Sequence, residues 1–181
     1  MATFDFTVLN YIYGHFQSTA LDFLMPIITT LGNAGLIWIA LALILLISRQ
    51  TRWVGAAILL ALFFDAILCN LILKPLIARI RPFDVNTAVH LLVKPPQDFS
   101  FPSGHTTASF AATFALYFSR RRLWVPAFVL ACLISFSRLY LYLHYPTDVA
   151  AGILIGVAIG YVGFKSAAYL EARWHGKSAI Q

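Results

Sequence analysis

Long apolar runs divided by short polar breaks set the pattern of this chain. At its start, Phe6, Leu9, Tyr13 and Phe16 recur three or four apart, the spacing of one helix face. The stretch up to Gln17 is too short and too polar to span a membrane, and it reads as an interfacial amphipathic helix. Residues 19–31 are apolar but few. Gly32, Asn33, Ala34 and Gly35 interrupt them before an apolar run resumes over 36–47. These two runs make either one kinked span or a short helix packed beside a span. Residues 53–73 are a full span, close to the ~20 that a bilayer core requires. Residues 74–102 are the longest polar stretch, with Pro75, Pro82, Pro95 and Pro96, and cannot span. Apolar runs return at 105–118, 123–142 and 149–164. In the last of these Gly152, Gly156, Gly160 and Gly163 recur every three or four positions, a flat face for close helix packing.

The pattern predicts an all-α integral membrane bundle of about six helices, five of them spans and one an N-terminal short or interfacial helix. Composition agrees. The chain has 181 residues, 60% hydrophobic and 11% charged, with mean hydropathy +0.80. A soluble domain carries roughly a quarter charged residues. The length suits a single domain over residues 1–181. A net charge of +6 raises nucleic acid as a partner, but the basic residues lie between apolar runs, where they set membrane topology instead. Cys69 and Cys132 both lie in apolar segments, as small core residues rather than a disulfide pair. The first residues carry no positive n-region, so the N-terminus is expected to persist in the mature protein.

Five spans put the turn at Arg49 and Arg52, the basic turn Arg120, Arg121 and Arg122, and the tail with Lys165, Arg173 and Lys177 on one side. By the positive-inside rule that side, including the C-terminus, is the cytoplasm. Residues 74–105 and the break at 144–148 then share the opposite, outer face.

Chemistry-bearing residues concentrate on that face. Lys74 and Arg81 are seven apart, close to two helical turns, and share a face if the helix continues. Ser103 suits an N-cap, with Pro102 before it and Gly104 after, and His105 in the first turn; free N–H groups at a helix start suit a phosphate. Beyond Ser137 and Arg138, His144 and Asp148 are four apart, with Pro146 near the start of the last helix. A carboxylate at that spacing fixes the imidazole tautomer and leaves the other nitrogen as a nucleophile. Arg138 near the end of a span calls for an anion. Within the 53–73 span, the carboxylate of Asp65 is costly and faces the bundle interior, where it either positions a cation or bonds a neighbouring helix.

Lys74, Arg81 and Pro82, then Pro102 to His105, then Ser137, Arg138, His144 and Asp148, resemble the three signature motifs of the type 2 phosphatidic acid phosphatase (PAP2) family in residue, spacing and order. That superfamily also holds bacterial acid phosphatases and vanadium haloperoxidases. The resemblance covers 74–148, and the residues before Lys74 add only hydropathy. It implies that His144 attacks phosphorus and forms a phosphohistidine, oriented by Asp148. It implies that His105 protonates the leaving oxygen and then activates water. Lys74, Arg81 and Arg138 would cage the phosphate oxygens, with Ser103 and the Gly104 N–H adding bonds.

No cofactor is implied, and no carboxylate or Cys/His cluster points to a metal. Small bacterial members of the family act on undecaprenyl diphosphate, phosphatidylglycerol phosphate or phosphatidate. The expected partner is accordingly a membrane lipid phosphate in the plasma membrane, with undecaprenyl diphosphate first. A lipid-phosphate binding or transport protein would need the cations but not His144, Asp148 and His105. Arg79 falls off the helical face of Lys74 and ranks below the other cations. His90, His15 and His175 read as loop or surface residues, and Tyr140, Tyr142 and Tyr145 as interface aromatics.

Overall fold

A computed structural model describes residues 2–178, with side chains over 3–175. Helix accounts for 77% of it with no strand among the described residues, which bears out the all-α expectation. The helices are α1 (Ala2–His15), α2 (Thr19–Leu31), α3 (Leu36–Ile47), α4 (Arg52–Asp65), α5 (Lys74–Ile77), α6 (Pro82–Val85), α7 (Gly104–Phe118), α8 (Trp124–Tyr140) and α9 (Pro146–Ser178). A π-helical stretch, Ala66–Leu73, joins α4 to α5 without a break. Such stretches add a residue to the turn and rotate the helix beyond them.

The expected count of five spans is not confirmed. Arg52–Val85 and Pro146–His175 are long and apolar enough to cross a membrane. A third span requires α2 and α3 to be taken together across a 46° bend. That bend falls at the predicted glycine break, where Gly35 has φ 68 and Ala34 φ 50. Helices α7 and α8, at 15 and 17 residues, are short of the ~20 residues of a full span.

Small residues let the long helices touch. On α7, Ala108, Ala111, Ala112 and Ala115 are buried against α9 and α4. A Cβ at Gly156 would stand 2.7 Å from the Thr107 carbonyl, and one at Gly163 would stand 2.6 Å from the Ala57 carbonyl. The predicted glycine face of α9 is therefore a contact of backbone on backbone, the arrangement that dispersion favours where lipid supplies no hydrophobic drive. Trp38 is buried in the same core, and its indole N–H donates to Ser109 Oγ at 3.0 Å. Cys69 is buried as expected. Cys132 faces outward, and both thiols are free.

The N-terminal helix is present but rotated from the expected face. Asp5, Leu9 and Ile12 are buried, while Phe16 is exposed. α1 packs over a cluster formed with Tyr140, Tyr142 and Tyr145. These three tyrosines are buried rather than interfacial. Tyr140 donates to Asp22 Oδ1 at 2.5 Å and Tyr142 to Asn10 Oδ1 at 2.7 Å. At the far end of the bundle Arg121 Nη2 donates to the Gln50 carbonyl at 2.7 Å, so the two basic turns lie side by side.

Candidate active site

The cations meet at a break in the helix rather than along one of its faces. α5 ends where Ala78 turns left-handed (φ 46), its N–H donating back to the Lys74 carbonyl at 2.9 Å. Arg81 precedes Pro82, which excludes the helical conformation, and is extended at φ −74, ψ 153. The chain therefore doubles back and brings Arg81 beside Lys74. Both side chains are nearly buried. One carboxylate joins them. Asp98 pairs with Lys74 Nζ, and its Oδ1 lies 2.7 Å from Arg81 Nη2. Arg81 Nε also donates to the Asp98 carbonyl at 2.7 Å. Burial pushes the Asp98 carboxyl up, but Lys74 and then Arg81 outweigh it and hold the group below the usual carboxylate range.

His144 stands between α8 and α9 and is fully buried. Pro146 opens α9 and puts Asp148 in its first turn. Asp148 Oδ2 accepts from Ser100 Oγ at 2.5 Å and from the Tyr145 N–H at 3.0 Å. His144 Nδ1 lies 3.5 Å from that same oxygen, a long contact, and has no other partner among the described residues. Arg81 Nη1 stands 3.2 Å from His144 Nε2. A guanidinium can only donate, so Nε2 carries the lone pair and Nδ1 the proton. Burial is the main cause that pushes the imidazole down to about 3; Arg81 and Arg138 act the same way, and Asp148 opposes them. His144 is therefore neutral at physiological pH.

The two polar breaks meet as the sequence predicts: the Ser103 N–H donates to the Asp148 carbonyl at 3.3 Å. Ser103 takes the N-cap position of α7, but its hydroxyl caps nothing. It is fully buried and accepts from Thr106 Oγ1 at 3.0 Å, which keeps it off the cavity wall, unlike its neighbour Gly104. A Cβ on Gly104 would stand 3.7 Å from Lys74 Nζ. His105 Nε2 lies 2.9 Å from Asn33 Oδ1. Its ring rests against Gly32, where a Cβ would come within 2.8 Å of Cδ2. Arg138 is buried on α8; Nη1 donates to Thr29 Oγ1 at 2.6 Å, while Nε has no partner among the described residues.

Lys74, Arg81, Gly104, His105, Arg138 and His144 line one cavity of about 600 Å³. Ile39, Leu59, Leu62 and Phe63 line it as well. Leu59 precedes Lys74 by four helical turns, so the cavity runs roughly 20 Å from a cationic cage down an apolar wall. Asp65, buried on that wall, has an oxygen without a partner among the described residues. No group of three or more His, Cys, Asp or Glu side chains suited to a metal occurs among the described residues.

This geometry has known counterparts. A family model described as "PAP2 superfamily" matches residues 50–171. The chain belongs to the PAP2 superfamily. It is 34% identical over 158 residues to the undecaprenyl-diphosphatase of Sulfolobus acidocaldarius, covering 87% of this chain and 74% of that protein. Two solved structures match at TM-score 0.73. Aquifex aeolicus LpxE is 27% identical, with 90% of this chain and 95% of that one covered. The transmembrane PAP2 type phosphatidylglycerolphosphate phosphatase from Bacillus subtilis is 26% identical, with 95% and 86% covered. The chain is thus a PAP2 membrane lipid phosphatase.

Several residues of the site escape a reading of the sequence. Asp98 is a lone acid in a polar loop; Lys94 stands four residues before it, but Pro95 and Pro96 lie between them, and nothing local points to Lys74 and Arg81. Arg79 lies outside the cavity but bonds Asp148, because the break at Ala78 cancels the helical-face arithmetic that ranks it low. Asn33 belongs to a glycine-rich turn that carries no chemical signal of its own.

Proposed function

We propose that this chain, as a single domain, hydrolyses a lipid phosphate or diphosphate at the outer face of the bacterial plasma membrane. The observation that carries the reading is His144 Nε2, a neutral lone pair at the cationic end of a cavity whose wall continues in hydrocarbon. Lys74, Arg81 and Arg138 bind the non-bridging oxygens, and the Gly104 N–H at the start of α7 adds a donor. Ser103 supports the turn from beneath. His144 Nε2 attacks the terminal phosphorus as its bond to the leaving oxygen breaks (the bridging oxygen of a diphosphate, the ester oxygen of a monophosphate), giving a phosphohistidine. Asp148 holds the Nδ1 proton and stabilises the charge that develops on the ring. His105 gives a proton to the leaving oxygen. It then takes one from water, which attacks phosphorus, releases inorganic phosphate and restores His144. The residues named suffice for this without a metal.

The first substrate is undecaprenyl diphosphate, converted to undecaprenyl phosphate; the similarity to a protein named undecaprenyl-diphosphatase supports it. Phosphatidylglycerol phosphate is the second, supported by the solved Bacillus subtilis phosphatase. Phosphatidate is the third. The pairing of the two basic turns at the far end of the bundle supports an outward site and a cytoplasmic C-terminus. Phosphate release from a panel of lipid phosphates and diphosphates in detergent, with and without chelator, tests the reading. Release that is fastest for undecaprenyl diphosphate and indifferent to chelator is expected. No release from any lipid would favour a binding or transport protein instead.

A further inference from the structure

Asp148 is shared. Its Oδ2 faces His144, but its Oδ1 accepts from Arg79 Nη1 at 2.5 Å. Arg79 is a full cation, and taken alone it would draw off the charge that His144 needs. A second carboxylate answers it. Asp5, in the first turn of α1, is fully buried. Its Oδ2 lies 2.6 Å from Arg79 Nη2 and accepts from Thr147 Oγ1 at 2.8 Å, and its Oδ1 accepts from the Thr147 N–H at 3.1 Å. Thr147 Oγ1 in turn accepts from Arg79 Nη1 at 2.7 Å. The guanidinium also lies 3.9 Å over the Tyr145 ring, which holds its plane.

A buried carboxylate persists only when paired, and here one cation is forked between two of them. Asp5, Arg79 and Asp148 together carry one net negative charge, on the side that meets His144. Remove Asp5, and Arg79 with Asp148 sum to zero. We infer that Asp5 and Arg79 are positioning residues for phosphoryl transfer: the N-terminal helix supplies the charge that keeps Asp148 an effective partner of His144. The inference rests on the phosphohistidine reading above. It makes α1 part of the catalytic apparatus, although α1 does not line the cavity.

The test measures single-turnover phosphate release in detergent alongside orthovanadate binding, which counts correctly formed cages. Asp5→Asn keeps the shape and removes the charge. It is expected to slow the transfer step about tenfold, as loss of a residue that orients a reacting group does, with vanadate stoichiometry and affinity unchanged. Asp5→Glu should restore most of the rate. Arg79→Lys keeps the cation but loses the fork, should slow transfer with the cage intact, and carries the test if Asp5→Asn does not fold. A wild-type rate in either variant overturns the inference. So does a loss of rate matched by an equal loss of vanadate sites, which marks a structural role only. His144→Ala in the same assay separates the two ideas: if it turns over, the nucleophile assignment fails, and if it is dead while Asp5→Asn is normal, only the role of Asp5 fails.

Discussion

Arg81 donates to His144 Nε2 at 3.2 Å, a direct contact between the cationic cage and the proposed nucleophile. The same Nη1 donates to the Leu143 carbonyl at 2.7 Å, and the guanidinium is almost wholly buried. In this state Arg81 occupies the lone pair that attack requires. A phosphoryl group in the cage offers the guanidinium better acceptors than a neutral ring nitrogen, since its oxygens carry negative charge and can take two parallel N–H bonds at once. Under the proposed mechanism, a substrate that engages Arg81 would uncover Nε2, so that one residue would both bind and license attack.

Removing that donor should affect the chemical step as well as binding. Arg81→Ala is expected to lower kcat by about a hundredfold or more, the scale on which one preorganised donor counts at a developing oxyanion. Arg81→Lys should recover only part, because an ammonium cannot reach Asp98, Leu143 and the substrate in one plane. Steady-state kinetics in detergent micelles, with kcat and KM separated, measure this. A change confined to KM would make Arg81 a binding residue only.

The buried His144 sets an acid dependence with a definite sign. Its folded-state value of about 3 lies below the ordinary 6.5. Above 6.5 the ring is neutral in both folded and unfolded chains, and the fold keeps its full stability. As pH falls below 6.5, the unfolded chain takes up a proton that the folded chain refuses, and stability drains away until about pH 3. Thermal unfolding between pH 8 and pH 4 should show this slope, and His144→Gln should flatten it. The attacking nitrogen itself stays unprotonated over that range, so the acid limb of the transfer step should lie well below 6.5.

His105 bonds Asn33 and lines the cavity without touching the Asp148 network. As the proposed proton donor to the leaving oxygen, it matters in proportion to how poorly that oxygen leaves. His105→Ala should cut hydrolysis of an alkyl phosphate monoester by about 10²- to 10⁴-fold, and that of an aryl phosphate such as p-nitrophenyl phosphate far less. Equal losses on both substrates would remove the general-acid role.

The three motif clusters were legible in the sequence because their chemistry depends on local spacing. Pro146 before Asp148 fixes a first-turn carboxylate, and Gly104 before His105 fixes a helix start, whatever the rest of the chain does. What failed depends on continuity. The prediction that Lys74 and Arg81 share a face assumed an unbroken helix, and Ala78 and Pro82 break it. The amphipathic reading of α1 weighed only apolar positions, so the face came out rotated: Asp5 is buried against Arg79 and Thr147, and a carboxylate counts as exposed in any hydrophobic pattern. The five spans rest on apolar length alone and are not confirmed as a count: α7 has 15 residues and α8 has 17.

Packing of α9 on α7 gives a prediction independent of the chemistry. A methyl at Gly156 would press on the Thr107 carbonyl and Phe110 Cβ, both at 2.7 Å, and neither is the end of a flexible side chain. Gly156→Ala should cost about 1–3 kcal/mol and lower the thermal midpoint in detergent. Because Thr107 lies one turn from Ser103, activity should fall with it. An unchanged midpoint would mean that the helices part easily.

Asp98 sits in the cage. It pairs with both Lys74 and Arg81, yet half of its side chain is exposed, whereas the cations it joins are buried. A carboxylate so placed competes with phosphate for the same donors. Two outcomes are physically distinct. If Asp98 only fills the cage, Asp98→Asn frees the cations: vanadate should bind more tightly, and KM should fall while kcat holds. If Asp98 instead orients Lys74 and Arg81, the same change weakens vanadate binding and lowers kcat. The geometry favours the first. Arg81 keeps its bonds to the backbone carbonyls of Asp98 and Leu143 whatever the Asp98 side chain does. We expect vanadate affinity to rise several-fold in Asp98→Asn, and a fall would assign Asp98 to the binding machinery.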